Sequence, residues 1–164
     1  MLFRSQNAQV VRDAEAYYRA MFRGGAESWN VRDRHMMATL EALLAHAGRG
    51  DRPRAVVWAH NSHLGDARAT SMAGIGELNL GQLVRERFGP RSCSIGMTTH
   101  DGEVTAAHQW DEPAALRAVR PSLPGSYERL FHDVGLPAFV IAVASPPVAA
   151  ALAGPRPERA IGVI

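Results

Sequence analysis

Residues 54–65, reading Arg-Ala-Val-Val-Trp-Ala-His-Asn-Ser-His-Leu-Gly, constrain this chain more than any other stretch. Five consecutive apolar residues, 55–59, have strand length and are apolar on both faces, the pattern of a buried parallel strand. The run passes directly into a cluster of polar and titratable side chains. In an open α/β sheet, ligands gather beyond the carboxyl ends of the strands, so a site is expected at His60 and His63.

The flanking sequence supplies the expected scaffold. Val10, Ala14, Tyr17, Tyr18 and Met21 recur at helical steps through residues 7–23, and Gly24-Gly25 stops that helix. Asn30 is expected to cap a second helix with Asp33 in its first turn; Met36, Met37, Leu40, Leu43, Leu44 and Ala47 form its buried stripe, and Gly48 and Gly50 end it. A Gly-, Ala- and Ser-rich loop then runs to Gly76, long enough to wall a pocket. Asn79 is expected to cap a third helix carrying Leu80, Leu83, Val84 and Phe88, terminated at Gly89-Pro90.

Residues 92–98 alternate as a half-buried strand, with Cys93 on the apolar face, and Asp101-Gly102 signals a hairpin into the run 104–110. Residues 111–120 are expected to form a weak helix, Ser126 to cap a short helix through Phe131 and Val134, and residues 138–143 to form another buried strand. The expected class is therefore α/β: a mixed, mainly parallel sheet flanked by helices, with one antiparallel hairpin. At 164 residues, 46% hydrophobic and 21% charged, the chain has the size of one domain, with a helical pair over 1–50 and an α/β portion over 51–164.

Several classes are disfavoured. No stretch approaches the ~20 apolar residues needed to span a bilayer, so no membrane partner is expected. All 18 basic residues are arginine, scattered rather than striped, and no nucleic-acid module accompanies them, so no nucleic-acid partner is expected either. One cysteine cannot make an internal disulfide and fits a reducing, cytoplasmic setting. Trp29, Trp58 and Trp110 are expected to supply core and pocket walls.

His60, Asn61, Ser62, His63 and Asp66 concentrate chemistry in one loop. Histidine has an ordinary pKa of about 6.5 and serves as acid or base near neutrality. Asn61 and backbone N–H groups are suited to stabilising an oxyanion. The competing use is a metal site formed by His60, His63 and Asp66, although His-x-x-His spacing is weak evidence and no metal or other cofactor is expected. His35 follows Arg32-Asp33-Arg34 at a helix start, where charged groups can face a cleft. Ser62 and Ser126 lack a nucleophile-elbow context. Glu128 opens a helix, where the dipole favours a carboxylate, and is also a candidate binding residue.

Five blocks in order carry a resemblance: Trp58-Ala59-His60-Asn61-Ser62-His63, Asn79-Leu80-Gly81-Gln82-Leu83-Val84-Arg85, Ser94-Ile95-Gly96, Pro124-Gly125-Ser126-Tyr127-Glu128, and Arg156-Pro157-Glu158-Arg159-Ala160-Ile161-Gly162-Val163. With Asn30-Val31-Arg32-Asp33-x-x-Met36 before them, the chain resembles the erythromycin esterase family. The resemblance implies a mixed α/β hydrolase that opens a macrolide lactone, or acts on a related carboxylic ester, by activating water without a covalent serine. It also implies that His60 and His63 are catalytic or transition-state-stabilising, with Asn61 beside them in contact with a small-molecule ester.

The family's Gly-Glu-x-x-His-Gly segment is absent from this sequence. The expectation is accordingly an incomplete domain, inactive alone, with self-association or pairing with a missing segment as its partner behaviour. A non-catalytic binding or interaction module, or a small histidine-dependent metal-binding protein, are the alternatives.

Overall fold

The computed structural model describes residues 2–48, 52–109 and 111–161, which fall into two compact units, 1–96 and 97–164. The first unit is helical. Helix α1 (Leu2–Arg23) ends where Gly24 and Gly25 take positive φ values of 73° and 79°, a region that costs glycine nothing. Helix α2 (Glu27–Ala47) packs on α1, with Ala20 and Met37 buried.

Asn30 does not cap α2. The helix starts four residues earlier, with Ala26 at the cap position and no side-chain capping bond. Instead, Asn30 Oδ1 accepts from Leu78 N–H at 2.8 Å, and its Nδ2 donates to Gly76 O at 2.9 Å. Its capping chemistry is used on a loop that is remote in sequence.

A short helix, α3 (Asn61–Leu64), follows the apolar run, and 3-10 turns at Ala67–Ala69 and Ser71–Ile75 lead to α4 (Leu80–Phe88). Asn79 caps α4 as expected, accepting from Gln82 N–H at 2.9 Å. Leu80 and Gly81 are buried, and Arg87 Nε reaches Glu41 Oε1 at 2.5 Å to tie α4 to α2.

In the second unit, β1 (Gly102–Ala106) pairs antiparallel with β2 (Ala115–Val119), Val104 facing Arg117 in register. The antiparallel hairpin therefore exists, one step later than Asp101-Gly102 suggested. Residues 115–119, within the span expected to be a weak helix, are its second strand. The connection contains Asp111 at φ 68°. Trp110 and Gly50 lie outside the described residues. Helix α5 (Tyr127–His132) is capped by Ser126, which accepts from Arg129 N–H at 3.2 Å, and α6 (Pro146–Ala151) follows Ser145.

The mixed class holds as helices plus a two-stranded antiparallel sheet. A mainly parallel sheet is not present among the described residues. Residues 55–59, 92–98 and 138–143 form no strand, and they are largely exposed: Val56 is 94% accessible, Trp58 83% and Val140 97%. Apolar content marks a segment that gains by burial, but only a neighbouring strand and a covering layer can bury it. Cys93 is likewise exposed, contrary to the expectation of a buried thiol. No described helix is long and apolar enough to cross a membrane.

Candidate functional site

On α2, Trp29, Arg32 and Asp33 stand at i, i+3 and i+4, so they share one helical face. Asp33 is fully buried. A buried carboxylate needs partners, and it has them: His63 Nδ1 lies 2.9 Å from Oδ1 and 3.0 Å from Oδ2, and Leu80 N–H donates to Oδ2 at 2.8 Å. Leu80 is the first residue of α4, so the carboxylate also meets the positive end of that helix.

This arrangement fixes the chemistry of His63. An ionised carboxylate only accepts hydrogen bonds, so Nδ1 donates and the Nε2 lone pair is left to act as a base. Trp29 holds the ring in plane, stacked parallel at 4.5 Å between centroids, and is itself fixed by Nε1–H donating to Leu78 O at 2.7 Å.

His60 is set the other way. It occupies the N-cap of α3, where its Nδ1 accepts from Ser62 N–H at 3.1 Å and meets Ser62 Oγ at 2.8 Å. With Nδ1 accepting, the neutral ring carries its proton on Nε2. Two histidines three residues apart are thus held in opposite tautomers, one suited to take a proton and one to give a hydrogen bond. Asn61 lies between them as the first residue of α3, its carbonyl accepting from Gly65 N–H at 2.8 Å.

Asn79 locks this loop in place. Besides capping α4, its Oδ1 accepts from Ala67 N–H at 3.3 Å and its Nδ2 donates to Ser62 O at 2.8 Å. Arg85 Nη1 donates to the carbonyls of Leu64 and Gly65 at 3.2 and 3.1 Å. Gly81 leaves no space beside it: a Cβ there would run into the Leu64 and Gly65 carbonyl oxygens.

The three residues considered for a metal are engaged separately. His63 Nδ1 faces Asp33, His60 Nδ1 faces Ser62, and Asp66 pairs with Arg68 at 2.7 Å, an interaction that holds the Asp66 carboxyl below its ordinary pKa. Among the described residues, no group of three or more His, Cys, Asp or Glu side chains is arranged to hold a metal ion. His35 forms a second carboxylate–imidazole contact, with Asp13 at 2.7 Å.

Glu128 belongs to the second unit. It is 2% exposed, and Oε1 accepts from Thr98 Oγ1 and from Arg159 N–H, both at 2.9 Å. Burial opposes its ionisation. The Arg159 N–H, its own N–H and the hydroxyls of Thr98 and Ser126 outweigh that penalty and hold the carboxyl below its ordinary value. A carboxyl with a lowered folded pKa stabilises the fold above the unfolded value, about 4.3, and that contribution is lost as pH falls through the folded value. Glu128→Gln is therefore expected to flatten the acid limb of stability against pH while lowering stability at pH 7. Urea denaturation between pH 3 and 7 checks this, and parallel profiles for both proteins would refute it.

Asp33 is the site residue that sequence reasoning placed in a helix's first turn and in the Asn30–Met36 block without a role in the site. Its signal lay in Arg32-Asp33-Arg34, which was connected to His35 rather than to a histidine 30 positions away. Trp29 and Trp58 were both expected in core and pocket walls; Trp29 stacks on His63, and Trp58 is exposed. The family model described as erythromycin esterase matches residues 1–164. No solved structure matches the chain.

Proposed function

The chain belongs to the erythromycin esterase family, and from that premise we propose that it carries the wall of an ester-hydrolysing cleft in which His63 activates water. Membership indicates an esterase-like hydrolase. The finer reading is water-mediated hydrolysis of a macrolide lactone or a related carboxylic ester. The observation that carries it is the buried Asp33 carboxylate on His63 Nδ1, which orients the ring and leaves Nε2 as the base. His60 and Asn61, on the same short helix, are suited to bind the substrate's oxygens. Glu128 is proposed as a binding residue through its place in the resemblance alone.

The test is hydrolysis of a macrolide lactone and of simple carboxylic esters by the purified chain. His63→Ala is expected to lower turnover about 100- to 10,000-fold, the usual contribution of a general base. Turnover that survives both His60→Ala and His63→Ala would remove the site assignment.

One observation favours a second reading, a binding or interaction module. Val56, Trp58 and Ile95 in the first unit, and Val140 and Val143 in the second, are exposed apolar residues in segments without regular structure. We propose that these runs become strands of a mainly parallel sheet on association with a second copy or another segment. Lack of turnover in a chain that retains its helices and sediments as an oligomer would select this reading.

A further inference from the structure

Hydrolysis of an ester places negative charge on the carbonyl oxygen, and a histidine base does nothing to stabilise it. The His63–Asp33 pair supplies only the base, and His60 and Asn61 offer hydrogen bonds to the oxygen but no permanent positive charge. Arg32 lies one residue before Asp33, and its guanidinium carbon is 4.5 Å from the centroid of the Trp29 ring, the same indole that stacks on His63. Base and cation are thus both held against one aromatic side chain.

Arg32 has no carboxylate partner among the described residues, and its Nε is out of water without a hydrogen-bond partner. A guanidinium has five donors and a permanent charge, so one whose Nε lacks a hydrogen-bond partner has an unmet capacity for an anionic oxygen. Arg32 also lines a groove between α1 and α2 with Val10, Asp13, Ala14, Tyr17, Val31 and His35, in which the Asp13 carboxylate is already paired with Arg12 and His35.

We propose that Arg32 receives the ester carbonyl oxygen and stabilises the oxyanion; this rests on the hydrolytic reading of the same site. Water attacks the carbonyl carbon as His63 Nε2 takes its proton. A new C–O bond forms, the carbonyl π pair moves onto oxygen, and an Arg32 N–H donates to that oxyanion. The pair then returns, the bond to the alkoxy oxygen breaks, and the proton passes from His63 to the leaving alcohol.

Steady-state kinetics of Arg32→Ala and Arg32→Lys, with binding of an alkyl phosphonate monoester as a tetrahedral anion, test the assignment. Arg32→Ala is expected to lower kcat about 100- to 1,000-fold with little change in KM, as loss of an oxyanion donor does. It should also weaken phosphonate binding, and added guanidinium ion should restore part of the turnover; Arg32→Lys should retain more than Arg32→Ala. Wild-type kcat in Arg32→Ala, in a protein that loses turnover on His63→Ala, overturns the role of Arg32 while leaving the site standing. If the wild-type chain turns over no ester, the hydrolytic reading fails by itself and phosphonate binding decides: weaker binding by Arg32→Ala upholds an anion site, and equal binding overturns it.

Discussion

Gly81→Ala is expected to destabilise the first unit by about 3 kcal/mol, the upper end of the cost of forcing an extra methyl group into a packed interior. The methyl would meet the backbone carbonyls of Leu64 and Gly65 rather than a flexible side chain, so nothing small can yield. Those carbonyls also receive Arg85, and the same short loop presents His63 to Asp33. Separating α4 from the loop therefore disturbs the site as well as the packing. Gly74→Ala is the control, since a methyl group at Gly74 would meet nothing within 4 Å. Urea denaturation decides: equal midpoints for the two variants would show that the close approach at Gly81 carries no weight.

Asp33→Ala is expected to cost about 3–5 kcal/mol, the penalty for removing one member of a buried, hydrogen-bonded pair. The substitution strands two donors, the Leu80 N–H at the start of α4 and His63 Nδ1–H. Asp33→Asn separates stability from chemistry. Its amide keeps one acceptor oxygen but no longer demands a proton on His63 Nδ1, so ester turnover should fall by about 100-fold or more while much of the fold is retained. Denaturation and kinetics on both variants check this. Asp33→Ala with wild-type stability, or Asp33→Asn with wild-type turnover, would remove Asp33 from the role given to it.

The parts of the fold legible in the sequence were those fixed by local chemistry. Gly24-Gly25, Gly48, Asn79, Gly89 and Ser126 end or begin helices where expected, because a cap is satisfied by backbone within a few residues. Asn30 shows the limit of that reasoning. It has the residue type of a cap, but its partners are 46 and 48 residues away. The apolar runs at 55–59, 92–98 and 138–143 were less legible still, since strand formation depends on a second segment that a run of valines does not specify.

The candidate site divides along the same line. His60, Asn61 and His63 were identifiable as a concentration of polar groups after an apolar run. Their different jobs were not, because the tautomer of each ring is set by its partner: Ser62 beside His60 in the chain, and Asp33 across a gap of 30 residues for His63. Glu128 was recognised as a helix-opening carboxylate, but its contact with Arg159 across 31 residues could not be inferred from that position.

That last contact bears on what disorder means in this chain. Residues 152–159 contain almost no helix or strand, and far-ultraviolet circular dichroism would count most of them as coil. They are nevertheless fastened to α5: Tyr127 Oη donates to Gly154 O at 2.9 Å, Tyr127 N–H donates to Pro157 O at 3.1 Å, and Arg159 N–H ends on Glu128. Lack of regular structure and lack of fixed contacts are thus separate properties, and this segment has only the first.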